Sequence, residues 1–235
     1  MKVKLIAVLL LTATLNSAHA KSPSKSNNLK DAFKNKFLIG AALNRGQYAG
    51  LDTQATKVIT THFNAIVAEN CMKSENLQPE EGKFVFDEAD QFVEFGLKNH
   101  MWITGHTLIW HSQAPRWFFV DKDGKEVSRE VLIERMKNHI YTVVKHFKGK
   151  VKGWDVVNEA ILDNGDYRDS KFYKIIGKDF IKLAFQFAHE ADPNAELYYN
   201  DYSMFIPEKR NGVVKMVKEI KNQGGRVDAI GMQGH

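Results

Sequence analysis

Carboxylates, amides, imidazoles and aromatic rings cluster at the ends of short apolar runs in this sequence. Glu69-Asn70, Trp110-His111, Asn158-Glu159, Asn200-Asp201-Tyr202 and Gln233-Gly234-His235 each follow on such a run. That mixture suits sugars, because flat rings stack on apolar pyranose faces while fixed donors and acceptors read hydroxyls. Cleaving a glycosidic bond needs two carboxyl groups, one protonating the leaving oxygen and one opposing it. Glu69, Glu159 and Asp201 are the carboxylates at these ends. Taken singly, Glu159 reads equally well as a helix-start carboxylate stabilised by the helix dipole. Trp110 could be core, and His106 and His235 could be structural histidines.

Other chemistries find little support. His106 and His111 are five apart, so strand alternation puts them on opposite faces, a poor pair of metal ligands. A G-x-S-x-G elbow is absent, and the stretch from Gly40 to Gly46 fits neither a dinucleotide fingerprint nor a P-loop. The expectation is therefore no metal and no cofactor. No block of Lys and Arg is long enough for a nucleic-acid groove.

The elements that must position these groups alternate. Six apolar runs, at residues 37–43, 64–68, 101–109, 153–157, 196–199 and 228–232, are mostly continuous, as in strands buried on both faces. Between them lie amphipathic stretches. In residues 128–148, Leu132, Met136, Ile140, Val143, Val144 and Phe147 recur at helical spacing; Phe180, Leu183, Ala184 and Phe187 repeat it; residues 207–223 open on Pro207 and stop at Gly224-Gly225. Strand–helix repetition implies right-handed crossovers and a parallel sheet. Buried strands whose C-terminal tips all turn polar describe the rim of a (β/α)8 TIM barrel rather than an open sheet.

The first twenty residues stand apart. Lys2 and Lys4 precede an apolar run, and Ala18-His19-Ala20 supplies a small-x-small cleavage site, so residues 1–20 read as a signal peptide. Residues 21–30 read as a flexible leader and 31–235 as the catalytic domain. The apolar run is short for a membrane anchor, so no membrane association is expected after cleavage. Losing Lys2 and Lys4 lowers the net charge from +5 to +3. Cys71 is the lone cysteine and has no intrachain disulfide partner, so the fold must rest on its core. A secreted, periplasmic or extracellular, monomeric protein is expected.

Five stretches carry a closer resemblance. Trp154-Asp155-Val156-Val157-Asn158-Glu159 resembles the strand-four signature of family 10 endo-β-1,4-xylanases, in which the Glu is the general acid/base. Glu69-Asn70-Cys71-Met72-Lys73 resembles the strand-two motif, and the stretch from His106 through Trp110 and His111 to Gln113 resembles the strand-three motif. Asn200-Asp201-Tyr202 and Gly231-Met232-Gln233-Gly234-His235 resemble the ends of strands five and six. Ser74 departs from the pattern, since many members carry a tryptophan there.

The resemblance implies a barrel truncated after about the sixth strand, with xylan or a xylo-oligosaccharide as substrate. Glu159 would be the acid/base and Asn158 would bond the sugar 2-hydroxyl. Glu69, Asn70 and Lys73 would hold the neighbouring xylose. His106, Trp110 and Gln113 would line the cleft, Tyr202 and Gln233 would flank the scissile bond, and His235 would orient the nucleophile. The family places that nucleophile, a Glu, on strand seven, which is not among these residues. Residues 21–235 alone are accordingly expected to lack useful activity. The alternatives are a cellulase of the same barrel clan and a non-catalytic xylan-binding fragment.

Overall fold

The structure, a computed structural model, describes residues 28–234. The expected signal peptide at residues 1–20, the expected leader up to residue 27 and His235 lie outside the described residues. The elements run α1 (Leu29–Ala32), β1 (Gly40–Leu43), α2 (Arg45–Tyr48), α3 (Thr53–His62), β2 (Ala65–Ala68), α4 (Ser74–Leu77), α5 (Asp87–Lys98) and β3 (Trp102–Trp110). They continue with a 3-10 turn at Arg116–Phe118, α6 (Arg129–His146), β4 (Gly153–Asn158), α7 (Lys171–Ile176), α8 (Asp179–Ala191), β5 (Glu196–Asp201), α9 (Pro207–Asn222) and β6 (Ala229–Met232). The expected leader therefore ends earlier than residue 30. The Asn28 side chain caps α1, and Lys30 Nζ donates to the Thr60 carbonyl of α3 at 2.7 Å.

All six strands are parallel and pair in chain order, β1 through β6, forming part of a barrel wall. Helices cover the outer face. The amphipathic stripe of α6 buries Leu132, Met136, Ile140, Val143 and Val144, and α8 buries Phe180, Ala184, Phe185, Phe187 and Ala188. Ser128 caps α6 by accepting from the Val131 N–H, and Pro207 occupies the first turn of α9. Trp154 of β4 fills the space beside β3, where a Cβ on Gly105 would come within 2.2 Å of its ring. Only a glycine lets these strands approach around the indole.

Register shifts control what the strand tips present. Between His106 and Ile109, β3 carries one more residue than β4; between Asp155 and Val157, β4 carries one more than β5. Inward positions are thus separated by three residues on β3 (His106 to Trp110), two on β4 (Asp155 to Asn158) and one on β5 (Tyr198 to Asn200). Such bulges re-aim side chains at barrel rims.

One polar pair lies deep in the core. His139 of α6 and Gln78 are both wholly buried; His139 Nδ1 meets Gln78 Oε1 at 2.9 Å, while Nε2 of each residue has no partner. Burial pushes the imidazole down to about 3 from its ordinary 6.5. Unfolded chains take up this proton below pH 6.5, whereas the folded chain does not until about pH 3, so the contribution to stability is complete above pH 6.5 and drains away as pH falls. We expect His139→Leu to flatten this slope, so that the stability of the variant relative to the parent rises by about 1.4 kcal/mol per pH unit as pH falls from roughly 6 to 4. Urea melts across that range would test it, and parallel curves would count against the assignment.

Candidate active site

The strand tips enclose a cavity of about 600 Å³, lined by Glu69, Thr104, His106, Trp110, Asp155, Asn158, Glu159, Asn200 and Gln233 among others. Glu159 sits just past β4 in a left-handed conformation, φ 58°, which turns the chain sharply at the rim. Its main chain is pinned on both sides: the Glu159 N–H donates to the Asn200 carbonyl at 2.9 Å, and Arg168 Nε donates to the Glu159 carbonyl at 2.8 Å. Its carboxylate accepts from Trp110 Nε1 at 2.9 Å, Asn158 Nδ2 at 3.1 Å and Gln233 Nε2 at 3.1 Å. Three donors from β3, β4 and the end of β6 therefore fix one carboxyl group. It stands free of any helix start, so the plain helix-dipole reading does not describe it.

Asn158 is buried, and its Oδ1 accepts from Asn200 Nδ2 at 2.9 Å and Gln233 Nε2 at 3.3 Å. Beside it, His106 Nδ1 lies 2.8 Å from Asp155 Oδ2 across the β3–β4 pairing. The β2 side carries the cation. Lys73 Nζ donates to Gln113 Oε1 at 2.7 Å and Asn70 Oδ1 at 3.0 Å, and lies 5.0 Å from the centre of the Trp110 ring. Burial lowers the Lys73 ammonium from its ordinary value, while Glu75, Glu159 and Glu69 pull it back up.

Glu69, His106, Trp110, Asn158, Glu159 and Gln233 thus share one cleft, with Lys73, Asn70 and Gln113 bonded together at its β2–β3 edge. Tyr202 is bonded to Arg168 at 2.7 Å rather than lining the cavity. Asp201 is fully buried and faces Lys209 instead of the cleft. His111 borders a separate hollow with Arg116, Phe119 and Lys171, so it and His106 do not converge. Among the described residues, no three His, Cys, Asp or Glu side chains are grouped to hold a metal ion.

Sequence reasoning passed over Asp155, Arg168 and Lys209. Lys209 left a signal: it shares the buried face of α9 with Val213, Met216 and Ile220, and a cation in an apolar stripe needs a buried partner. Arg168, in a loop, left none.

A wall of parallel strands with carboxylates, amides and indole at its C-terminal tips defines a barrel protein with a carbohydrate-type rim. More particularly, the chain belongs to glycosyl hydrolase family 10, whose family model matches residues 28–235. It is 62% identical over 207 residues to endo-1,4-beta-xylanase A of Xylanibacter ruminicola, covering 88% of this chain and 56% of that enzyme. Among solved structures, a GH10 endoxylanase retrieved from sugarcane soil metagenome superposes with a TM-score of 0.86 at 44% identity, covering 88% of this chain and 62% of that one. An intracellular xylanase from Thermoanaerobacterium saccharolyticum, solved as a mutant complexed with xylotriose, gives a TM-score of 0.84 at 44% identity, with 88% of this chain and 66% of that one covered. The chain thus spans between half and two thirds of the length of these relatives.

Proposed function

We propose that this chain carries the acid/base half of an endo-1,4-β-xylanase active site. The observation that carries the reading is Glu159, held in the cleft by Trp110, Asn158 and Gln233. In the first step Glu159 gives its proton to the glycosidic oxygen as a carboxylate attacks the anomeric carbon. In the second, Glu159 takes a proton from the water that releases the sugar, and configuration is retained. The attacking carboxylate is the glutamate that the family places on strand seven; retention requires it about 5–5.5 Å from Glu159.

Asn158 presents an amide beside Glu159 and is assigned the 2-hydroxyl of the sugar being cleaved. Glu69, Asn70 and Lys73 take the neighbouring xylose, and His106, Trp110 and Gln113 form the cleft wall. His235, outside the described residues, is assigned to orienting the nucleophile. Xylan fits the names of the relatives, and the polypeptide is read as an exported monomer cleaved after Ala20. The test is initial rates on xylan and carboxymethylcellulose, using a chain that completes the eight-stranded barrel. Faster release of reducing ends from xylan is expected; a preference for carboxymethylcellulose would favour the cellulase reading, and binding without cleavage the non-catalytic one.

A further inference from the structure

Lys209 lies on α9, remote from the cleft lining, yet its bonds lead back to Glu159 by two routes. Its side chain is wholly buried, with Nζ 2.9 Å from Asp201 Oδ1 and 3.2 Å from Asp163 Oδ1. Along the first route, Asp201 Oδ2 accepts a hydrogen bond from the Tyr199 hydroxyl. That hydroxyl in turn accepts from the N–H groups of Ala160 at 2.9 Å and Ile161 at 3.1 Å, the two residues that follow Glu159. Along the second route, Nζ sits 3.5 Å from the centre of the Tyr202 ring. The Tyr202 hydroxyl accepts from Arg168, whose Nε holds the Glu159 carbonyl.

The loop after Glu159 is clamped to α9 from outside as well. Gly165 and Gly212 meet so closely that a Cβ on Gly212 would lie 2.4 Å from the Gly165 carbonyl oxygen. Each bond in the first route has a defined polarity. Burial and the Asp201 charge hold the Tyr199 phenol well above its ordinary range, so it remains a hydroxyl that donates to Asp201. Its lone pairs are then left for the two main-chain N–H groups. A left-handed glutamate at the end of a strand is an uncommon conformation that its surroundings must hold in place. Here those surroundings include two routes that start from one ammonium, beside the Asn200 carbonyl that accepts from the Glu159 N–H.

We propose that Lys209 and Tyr199 are positioning residues for Glu159, and that the Lys209–Asp201–Tyr199 relay sets its carboxyl group where the leaving oxygen must be protonated. This rests on Glu159 being the acid/base. A displaced acid fails most where the leaving group is poor, and matters least where the leaving group departs unaided. A side chain that merely supports the fold would depress every substrate alike.

The test uses Tyr199→Phe, which removes one oxygen and keeps the ring, in a chain with all eight barrel strands. Expected is a fall in kcat/KM of about tenfold or more for phenyl β-xylobioside, with 2,4-dinitrophenyl β-xylobioside changed by less than about twofold. Lys209→Met should repeat the pattern; if it does not fold, Tyr199→Phe carries the test alone. Glu159→Gln runs alongside as the control for the acid/base assignment. If it shows the leaving-group dependence while Tyr199→Phe matches the parent, or loses both substrates equally, the positioning role is overturned and Glu159 keeps its own. If Glu159→Gln lacks that dependence, the acid/base assignment falls and takes this proposal with it.

Discussion

Glu159→Ala is expected to lower xylan hydrolysis by about a hundredfold to ten-thousandfold, the range that general acid–base catalysis supplies, or about 3–5 kcal/mol of barrier. The loss should appear in kcat, because the xylosidic oxygen is a poor leaving group and, among the described residues, no other carboxyl group accepts from Trp110, Asn158 and Gln233. Glu69 lines the same cavity from the end of β2, and Asp155 lines it with its carboxylate bonded to His106. Asp201 is turned away and bonded to Lys209 and Tyr199. None of the three is held by Trp110, Asn158 and Gln233 as Glu159 is. Of the three donors left behind, Gln233 Nε2 keeps Asn158 Oδ1 at 3.3 Å, and Trp110 and Asn158 line the open cleft, so the variant should fold, and a circular-dichroism melt alongside the assay checks this. Xylan turnover within about twofold of the parent would remove Glu159 from the mechanism.

A second large effect falls on stability. Asp201→Asn keeps the shape of the side chain and removes its charge, leaving the Lys209 ammonium at 0% exposure with the half-exposed Asp163 and the Tyr202 ring facing it. Breaking a buried ion pair from one side costs about 3–5 kcal/mol, because the remaining charge stays desolvated. The tyrosine relay worsens the loss: Lys209 and the Tyr199 hydroxyl both donate to Asp201, and an amide has one oxygen to accept with, so its NH2 must face one of the two donors. Urea denaturation of parent and variant gives the difference directly. A change below about 1 kcal/mol would mean that water or another group reaches Lys209, contrary to its burial. The double variant Asp201→Leu with Lys209→Met should recover much of the loss, as replacing both partners by apolar groups is often close to neutral.

Much of this molecule was legible in its sequence, for physical reasons that differ by element. Strands buried on both faces must be apolar throughout, so the runs at 64–68, 101–109 and 153–157 lie within a residue of β2, β3 and β4. β1 begins at Gly40 rather than residue 37, because Phe37 and Leu38 are exposed and add hydrophobicity without joining the sheet. Caps and breakers fixed α6 at Ser128 and α9 at Pro207 and Gly224. The cleft residues were legible because they sit at strand ends, where an apolar run gives way to polar side chains.

What escaped was set by contacts between distant segments. Alternation counts residues along one strand, whereas the inward spacing at the rim depends on register shifts between β3, β4 and β5. Asp155 lies within the strand-four signature, but its pairing with His106 is a cross-strand contact 49 residues apart. Tyr202 carries the right residue type at a strand tip, yet Arg168 draws its hydroxyl aside. Tyr199 reads as core, and only the fold reveals that its hydroxyl holds the two peptide groups beyond Glu159.

The most direct measurement is the product formed by Glu159→Ala, in a chain that completes the barrel, from 2,4-dinitrophenyl β-xylobioside with added azide. Glycosylation needs no acid with that leaving group, and azide attacks the glycosyl-enzyme without a general base. Turnover should rise with azide concentration, and NMR should identify β-xylobiosyl azide. A folded variant that azide does not accelerate, and that yields only xylobiose, would contradict the assignment of Glu159 as the acid/base.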